Sequence, residues 1–196
     1  MNIFITGAGG QLGRDLLRVL RPTHTCVALN RKKLDICDLR AVQKTVGEAK
    51  PDVIIHAAAY SKADQAEEAY RRNALGVSHL AFAAEATGAK LVLVTTDYRF
   101  DGTKGESDGK TNRVNSHHIY GQSKLLGEQF VQAVCPRHFI VRTSPAYSHD
   151  LAECISRIIL TERYGAYHVS NSGYKSRYDF AWSWMQPNPR GGIPFE

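Results

Sequence analysis

Five short apolar runs, separated by segments of helical periodicity, constrain this chain more than any other feature. "NIFIT" (2–6), "TCVALN" (25–30), "DVIIHAAA" (52–59), "KLVLVTT" (90–96) and "HFIVRT" (138–143) are largely apolar at successive positions. A strand with one wet face alternates apolar and polar residues, whereas a continuous run belongs to a strand covered on both faces. The intervening segments read as helices. "QLGRDLLRVL" (11–20) carries Leu12, Leu16 and Leu20 on one stripe, and Pro22 marks its stop. Asp38 is placed to cap a helix from Leu39 to about Glu48, closed by Pro51. A further helix from about Asn73 to Thr87 ends at Gly88, a natural left-handed cap. Strands alternating with helices predict an α/β chain built on a doubly wound parallel sheet. There is no internal repeat, and the Pro- and Gly-rich "QPNPRGGIPFE" predicts an irregular tail.

In such a sheet, ligands bind in the loops at the carboxyl ends of the strands. The first of these loops is "TGAGGQLG", which spaces Gly7, Gly10 and Gly13 three apart between a predicted strand and a predicted helix. Small residues let the backbone approach a pyrophosphate, and the N–H groups at Gln11, Leu12 and Gly13 open the helix toward it. The pattern is GxxGxxG, with Leu12 where the GxGxxG fingerprint has glycine. A purely steric use of the glycines is the alternative, but the position of the turn favours dinucleotide binding and a Rossmann-like fold. An NAD-selective site places an acid at the end of the second strand, whereas this chain has Asn30 followed by Arg31, Lys32 and Lys33. A neutral amide beside a guanidinium favours NADPH, with NADH not excluded. A surface turn of solvated cations is the competing reading.

"HHIYGQSKLLGEQF" (117–130) opens another amphipathic helix, with Leu125, Leu126, Phe130 and Val134 at helical spacing. Tyr120 and Lys124 then share one face, one turn apart. A phenol ionises near ~10, and a neighbouring cation lowers that value enough to make it a proton donor or base. A half-buried tyrosine and a solvated lysine would share the same spacing, so the pair gains meaning only from its context.

Composition adds outer bounds. At 196 residues, 43% hydrophobic and 22% charged, the chain reads as an ordinary globular domain, or one and a fraction in size, with no apolar run near the ~20 residues of a membrane span. "MNIFITG" shows neither a basic leader nor a cleavage site, so no signal peptide is expected. Cys26, Cys37, Cys135 and Cys154 have no metal-ligand spacing and suggest free thiols in a reducing, cytoplasmic setting. His117, His118, His149 and His168 likewise offer no ligand set, so no metal is expected. The net charge of +6 raises the question of a polyanion. The basic residues form neither a long run nor an aromatic-interleaved stripe, so neither nucleic acid nor a membrane is expected as a partner.

Taken in order, "TGAGGQLG", "LDICD", "DVIIHAAAYSKADQAE", "NALG", "VTTDYRFDG", "YGQSK" and "FIVRTS" resemble the extended short-chain dehydrogenase/reductase family, in its branch of sugar-nucleotide reductases. The resemblance runs from Met1 to about Ser144 and resumes at "DLAECI" and "YGAYHVSNSGYKSRYDFA". It implies that Tyr120 protonates a sugar carbonyl oxygen as hydride arrives from a nicotinamide. It further implies that Lys124 lowers the tyrosine's pKa and holds the nicotinamide ribose, and that Thr96 orients the carbonyl. Ala57, Ala58 and Ala59 match the strand end against which the cofactor lies, and Asp35 and Ile36 the adenine contacts. Ser61, Asp97 and Tyr98 fall where the family meets the nucleotide-sugar substrate. The chain departs from the pattern after "RTS", where Trp and a "YG" pair give way to Pro145, Ala146, Tyr147 and Ser148. Arg99 stands for a usual valine, and "NSHH" replaces expected prolines. The expected organisation is a dinucleotide-binding domain over 1–147 and a reduced substrate-binding portion over 148–196. Such a reduction predicts weak turnover, and a homo-oligomer or partner chain covering the exposed face. A catalytically silent dinucleotide-binding subunit, like the regulatory subunit of methionine adenosyltransferase, and a decayed reductase fragment are the alternatives.

Overall fold

Four of the five apolar runs become strands with neither face open to water, and the fifth, "TCVALN", becomes a half-buried one. The structure is a computed structural model that describes residues 1–60, 65–96, 119–143 and 148–170. Its strands are β1 (Asn2–Thr6), β2 (Thr25–Leu29), β3 (Val53–His56), β4 (Lys90–Thr96), β5 (His138–Thr143) and β6 (Gly165–Val169). Its helices are α1 (Gln11–Leu20), α2 (Leu39–Ala49), α3 (Ala66–Tyr70), α4 (Gly76–Thr87), α5 (Ile119–Val134) and α6 (Ser148–Ile158), with a π-helical turn over Arg71–Leu75 joining α3 to α4. All strand pairs are parallel, in the order β2-β1-β3-β4-β5-β6. The expected Rossmann-like doubly wound parallel sheet is therefore what the chain forms.

The period of two along each strand sorts its side chains into two cores. Phe4, Ile54, Leu91, Leu93 and Ile140 face one side, where they meet Val42 and Val46 of α2, Leu80 and Ala84 of α4, and Val131 of α5. Ile3, Ile5, Val53, Ile55, Val92, Phe139 and Val141 face the other, against Leu16 and Leu20 of α1 and Leu151 and Ile155 of α6. Each fully buried Leu, Ile or Phe among these stabilises the fold by roughly 1.5–3 kcal/mol. Phe139 also packs its ring 5.2 Å from that of Tyr164, which anchors the connection into β6.

The expected caps form. The Asp38 carboxylate accepts from the Ala41 N–H at 3.0 Å, and Gly88 ends α4 with φ 71°. Two boundaries differ from the sequence reading. The strand expected over 52–59 spans only Val53–His56, because Thr6 ends the neighbouring β1. Its carbonyl takes a last bond from the Ala57 N–H at 3.0 Å, and no β1 partner follows. The helix expected from about Asn73 starts earlier, at Ala66, with five α-helical residues followed by a five-residue π-helical turn that contains Asn73. "AEEAY" has good helix formers but no apolar stripe, so periodicity does not reveal it. Residues 148–170, which the sequence reading places beyond the dinucleotide-binding domain, supply α6 and the sixth strand of the same sheet. A boundary after Tyr147 thus does not coincide with an edge of the sheet. Residues 97–118, between β4 and α5, and the predicted irregular tail lie outside the described residues.

Candidate active site

The chain crosses from one side of the sheet to the other between β1 and β3, which is where an open parallel sheet leaves a crevice at its carboxyl edge. A cavity of about 320 Å³ opens there. Its walls come from three loops: Gly7, Gly9 and Gly10 after β1, Asn30 and Arg31 after β2, and His56, Ala58 and Ala59 after β3. Leu34, Asp35 and Ile36 close one end, and Tyr60, Arg72 and Asn73 another.

The glycine turn is built for close backbone approach. Gly7 has φ 78°, and a Cβ there would lie 2.7 Å from the Ala58 nitrogen. A Cβ on Gly13 would meet the Gly7 carbonyl oxygen at 2.3 Å, so α1 can begin directly beneath the turn only with glycine there. Gly10 is the N-cap and provides no side-chain cap, which leaves the first turn at Gln11, Leu12 and Gly13 to present its N–H groups to an anion. Gln11 is exposed, and Leu12 packs partly into the core. This cradle fits a pyrophosphate.

At the far end, the Asn30 side-chain oxygen accepts from the N–H groups of Lys32 and Lys33, at 3.1 and 3.2 Å, which folds the turn and keeps Arg31 at the cavity. The Asp35 carboxylate accepts from the Cys37 N–H at 3.0 Å. That bond holds its pKa below the ordinary carboxylate value, and the charges of Arg71 and Arg31 assist. Ala57 turns into the core, while Ala58 and Ala59 line the cavity.

Tyr120 stands half-buried on the first turn of α5, and Lys124 is buried one turn further on. The Lys124 Nζ donates to the Val94 carbonyl of β4 at 2.8 Å. Burial pushes its pKa down to about 8, and Glu128 works in the opposite direction. Thr96 is buried at the carboxyl end of β4. The residues expected to serve cofactor and proton transfer therefore gather at one edge of the sheet. Ser61, Asp97 and Tyr98 lie outside the described residues.

Three further residues at this edge escaped sequence reasoning. His56 ends β3, is buried, and shares a hydrogen bond with the Thr6 hydroxyl at 2.7 Å. Burial, with the Lys124 charge nearby, lowers its pKa to about 3, so it is a neutral imidazole. Asn73, in the π-helical turn, pairs with both backbone groups of Tyr60 at 2.9 Å and donates to the Ser123 hydroxyl at 3.0 Å. Ser123 in turn donates to the Tyr120 carbonyl at 2.8 Å. This chain of bonds ties the loop after β3 to the turn that carries Tyr120. The available signal was a lone polar residue in an otherwise apolar setting, in "VIIHAAA" and in "NALG".

A parallel sheet with a glycine cradle at its switch point and a Tyr–Lys pair on the helix following β4 defines a dinucleotide-dependent oxidoreductase of the short-chain class. Residues 1–151 match the family described as RmlD substrate binding domain, and the chain belongs to that family. It is 32% identical to the spore coat polysaccharide biosynthesis protein SpsK of Bacillus subtilis, over 94% of this chain and 78% of the relative. It is 34% identical to the dTDP-4-dehydrorhamnose reductase of Aggregatibacter actinomycetemcomitans, covering 91% and 76%. The solved structure of dTDP-4-dehydrorhamnose reductase from Bacillus anthracis in complex with NADP superposes with a TM-score of 0.87 at 36% identity, covering 95% of this chain and 82% of that one.

Proposed function

We propose that the chain reduces dTDP-4-dehydro-L-rhamnose to dTDP-L-rhamnose at the expense of NADPH. The observation that supports this most is the shared carboxyl edge of the cofactor cradle and the Tyr120–Lys124 turn. When bound, the cofactor supplies a hydride to the sugar C4. The Gly7–Gly13 turn and the α1 N-terminus hold its pyrophosphate, Asp35 and Ile36 flank the adenine, and Asn30 and Arg31 receive the 2′-phosphate. Ala57, Ala58 and Ala59 keep the strand end low enough for the cofactor to lie across it. Tyr120 gives its phenolic proton to the carbonyl oxygen as the C4–H bond forms, and recovers it from solvent. Lys124 stabilises the phenolate left behind and bonds the ribose hydroxyls. Thr96 donates to the same carbonyl oxygen and aligns it. Ser61, Asp97 and Tyr98 complete the sugar side of this assignment.

In this reading the chain works in the cytoplasm on a nucleotide sugar. Among the described residues, no helix is long and apolar enough to cross a membrane. Self-association, expected from the sequence, belongs to the same reading and is checked by the molar mass in solution. The deciding experiment is turnover of dTDP-4-dehydrorhamnose with NADPH, followed by nicotinamide absorbance. Tyr120→Phe is expected to leave NADPH affinity nearly unchanged and to lower turnover by ~10²-fold or more. A fully active Tyr120→Phe protein would remove Tyr120 from the chemistry. A native protein without NADPH-dependent thermal stabilisation would overturn the cofactor assignment.

A further inference from the structure

At the rim of the cavity, beyond β2, three guanidinium groups converge on one carboxylate. Glu68 on α3 makes a short contact with Arg72 and lies 3.3 Å from Arg71. These two pairs are ordinary neighbours along one helical stretch, at spacings of four and three. The third is not. Arg31 reaches Glu68 from the loop after β2, with its Nη2 3.9 Å from Oε1. Arg72 is held in place from above as well, with its guanidinium 4.7 Å from the centre of the Tyr60 ring. Arg31, Tyr60 and Arg72 all line the cofactor cavity, and Asp35 lines it beside them.

We propose that Glu68 is a specificity-determining residue for the cofactor: an internal carboxylate that competes with the 2′-phosphate of NADPH for Arg31 and so sets the NADPH-to-NADH preference. The inference rests on the placement of the 2′-phosphate at Arg31 in the preceding section. The chemistry follows from charge. Arg31, Arg71 and Arg72 share the rim with the carboxylates of Asp35, Glu67 and Glu68, so their charge is already largely balanced. A phosphate entering there must share Arg31 with a carboxylate that already neutralises part of it. A 2′-hydroxyl has no such competitor, because it neither requires a cation nor is repelled by a carboxylate. Arg71 and Arg72 hold Glu68 in position, so its charge stays at the rim whether or not Arg31 is engaged.

The test is a set of dissociation constants for NADPH and NADH, measured at fixed low ionic strength on the full chain. The proteins are wild type, Glu68→Gln, Arg31→Gln and the double variant. Glutamine keeps the shape of Glu68 and removes its charge. Glu68→Gln is expected to tighten NADPH about two- to fivefold, the range of an exposed ion pair, and to leave NADH within about twofold. In the Arg31→Gln background the gain should vanish. An unchanged or reduced preference for NADPH over NADH in a folded Glu68→Gln protein overturns the inference, as does a gain that persists without Arg31. Failure of the underlying placement looks different, because Arg31→Gln alone would then affect NADPH and NADH equally.

Discussion

Lys124 is the residue at which stability and function should pull in opposite directions. Burial lowers its pKa from the ordinary 10.5 to about 8, despite the nearby Glu128 carboxylate. A shift of roughly 2.5 units corresponds to ~3 kcal/mol of destabilisation while the folded protein must carry the charge. Lys124→Met removes the charge and keeps the length. It also removes the donor to the Val94 carbonyl, a loss of ~1–2 kcal/mol. At pH 7, without cofactor, the variant should therefore be more stable by ~1–2 kcal/mol, which raises the melting temperature by about 2–8 °C for a chain of this size. The pH dependence has a definite sign. The folded-state pKa lies below the unfolded one, so the penalty is fully present below pH 8 and fades as pH rises from 8 to 10.5. Near pH 10 the lost hydrogen bond dominates, and wild type should be the more stable protein. His56 and Glu128 also interact with Lys124. The first stays neutral across this range and the second remains paired with Arg142, so neither changes the sign. Chemical denaturation at pH 7 and pH 10 reads the effect directly. A variant less stable than wild type at pH 7, or a difference that ignores pH, would refute the reasoning and make Lys124 a packing residue. Lys124→Met should in addition lose both cofactor affinity and turnover.

Arg31→Gln should weaken NADPH binding by ~1–3 kcal/mol, the cost of a lost charge-assisted bond, and spare NADH; equal losses in a titration of both would remove the 2′-phosphate from this position. His56, neutral in the fold with a pKa of about 3 against an ordinary 6.5, destabilises the protein progressively as pH falls from 6.5 toward 3, because the unfolded chain takes up the proton first. Acid titrations of unfolding free energy should thus be shallower for His56→Asn than for wild type over that interval, by up to ~5 kcal/mol in total.

The fold was legible wherever burial acts on both faces of a segment. β1, β3, β4 and β5 read as apolar runs, α1 as a stripe with its stop, and α2 as the segment between its cap and its stop. β6 did not read as a strand because "GAYHV", the last strand of the sheet among the described residues, is only half-covered, with Tyr167 and His168 in place of aliphatic residues. The glycine turn was legible because its requirement is local: it must fit Gly7 against Ala58 and Gly13 against Gly7. Asn73 and Glu68 were not, because their partners, Tyr60, Ser123 and Arg31, are supplied by other elements. No spacing along the chain encodes such a meeting.

The buried polar residues of the sheet carry the same distinction. Thr6, His56, Thr95, Thr96 and Arg142 are its buried polar strand residues among those described, and each occupies one of the last two positions of its strand. The amino-terminal and central positions of β1, β3, β4 and β5 that are fully buried are all apolar. Burying a hydroxyl, an imidazole or a guanidinium is unfavourable unless each finds a partner. Thr6 and His56 find each other, and Arg142 finds Glu128 at 3.0 Å and His168 at 3.2 Å. A sheet stabilised by packing alone would have no reason to confine such residues to one edge. Thr6 and His56 line the cavity at the switch point, where donors and acceptors must face a polar guest. The same edge holds Lys124, the group with the largest expected conflict between stability and chemistry. The Lys124→Met measurement therefore bears on the purpose of the whole edge as well as on one side chain.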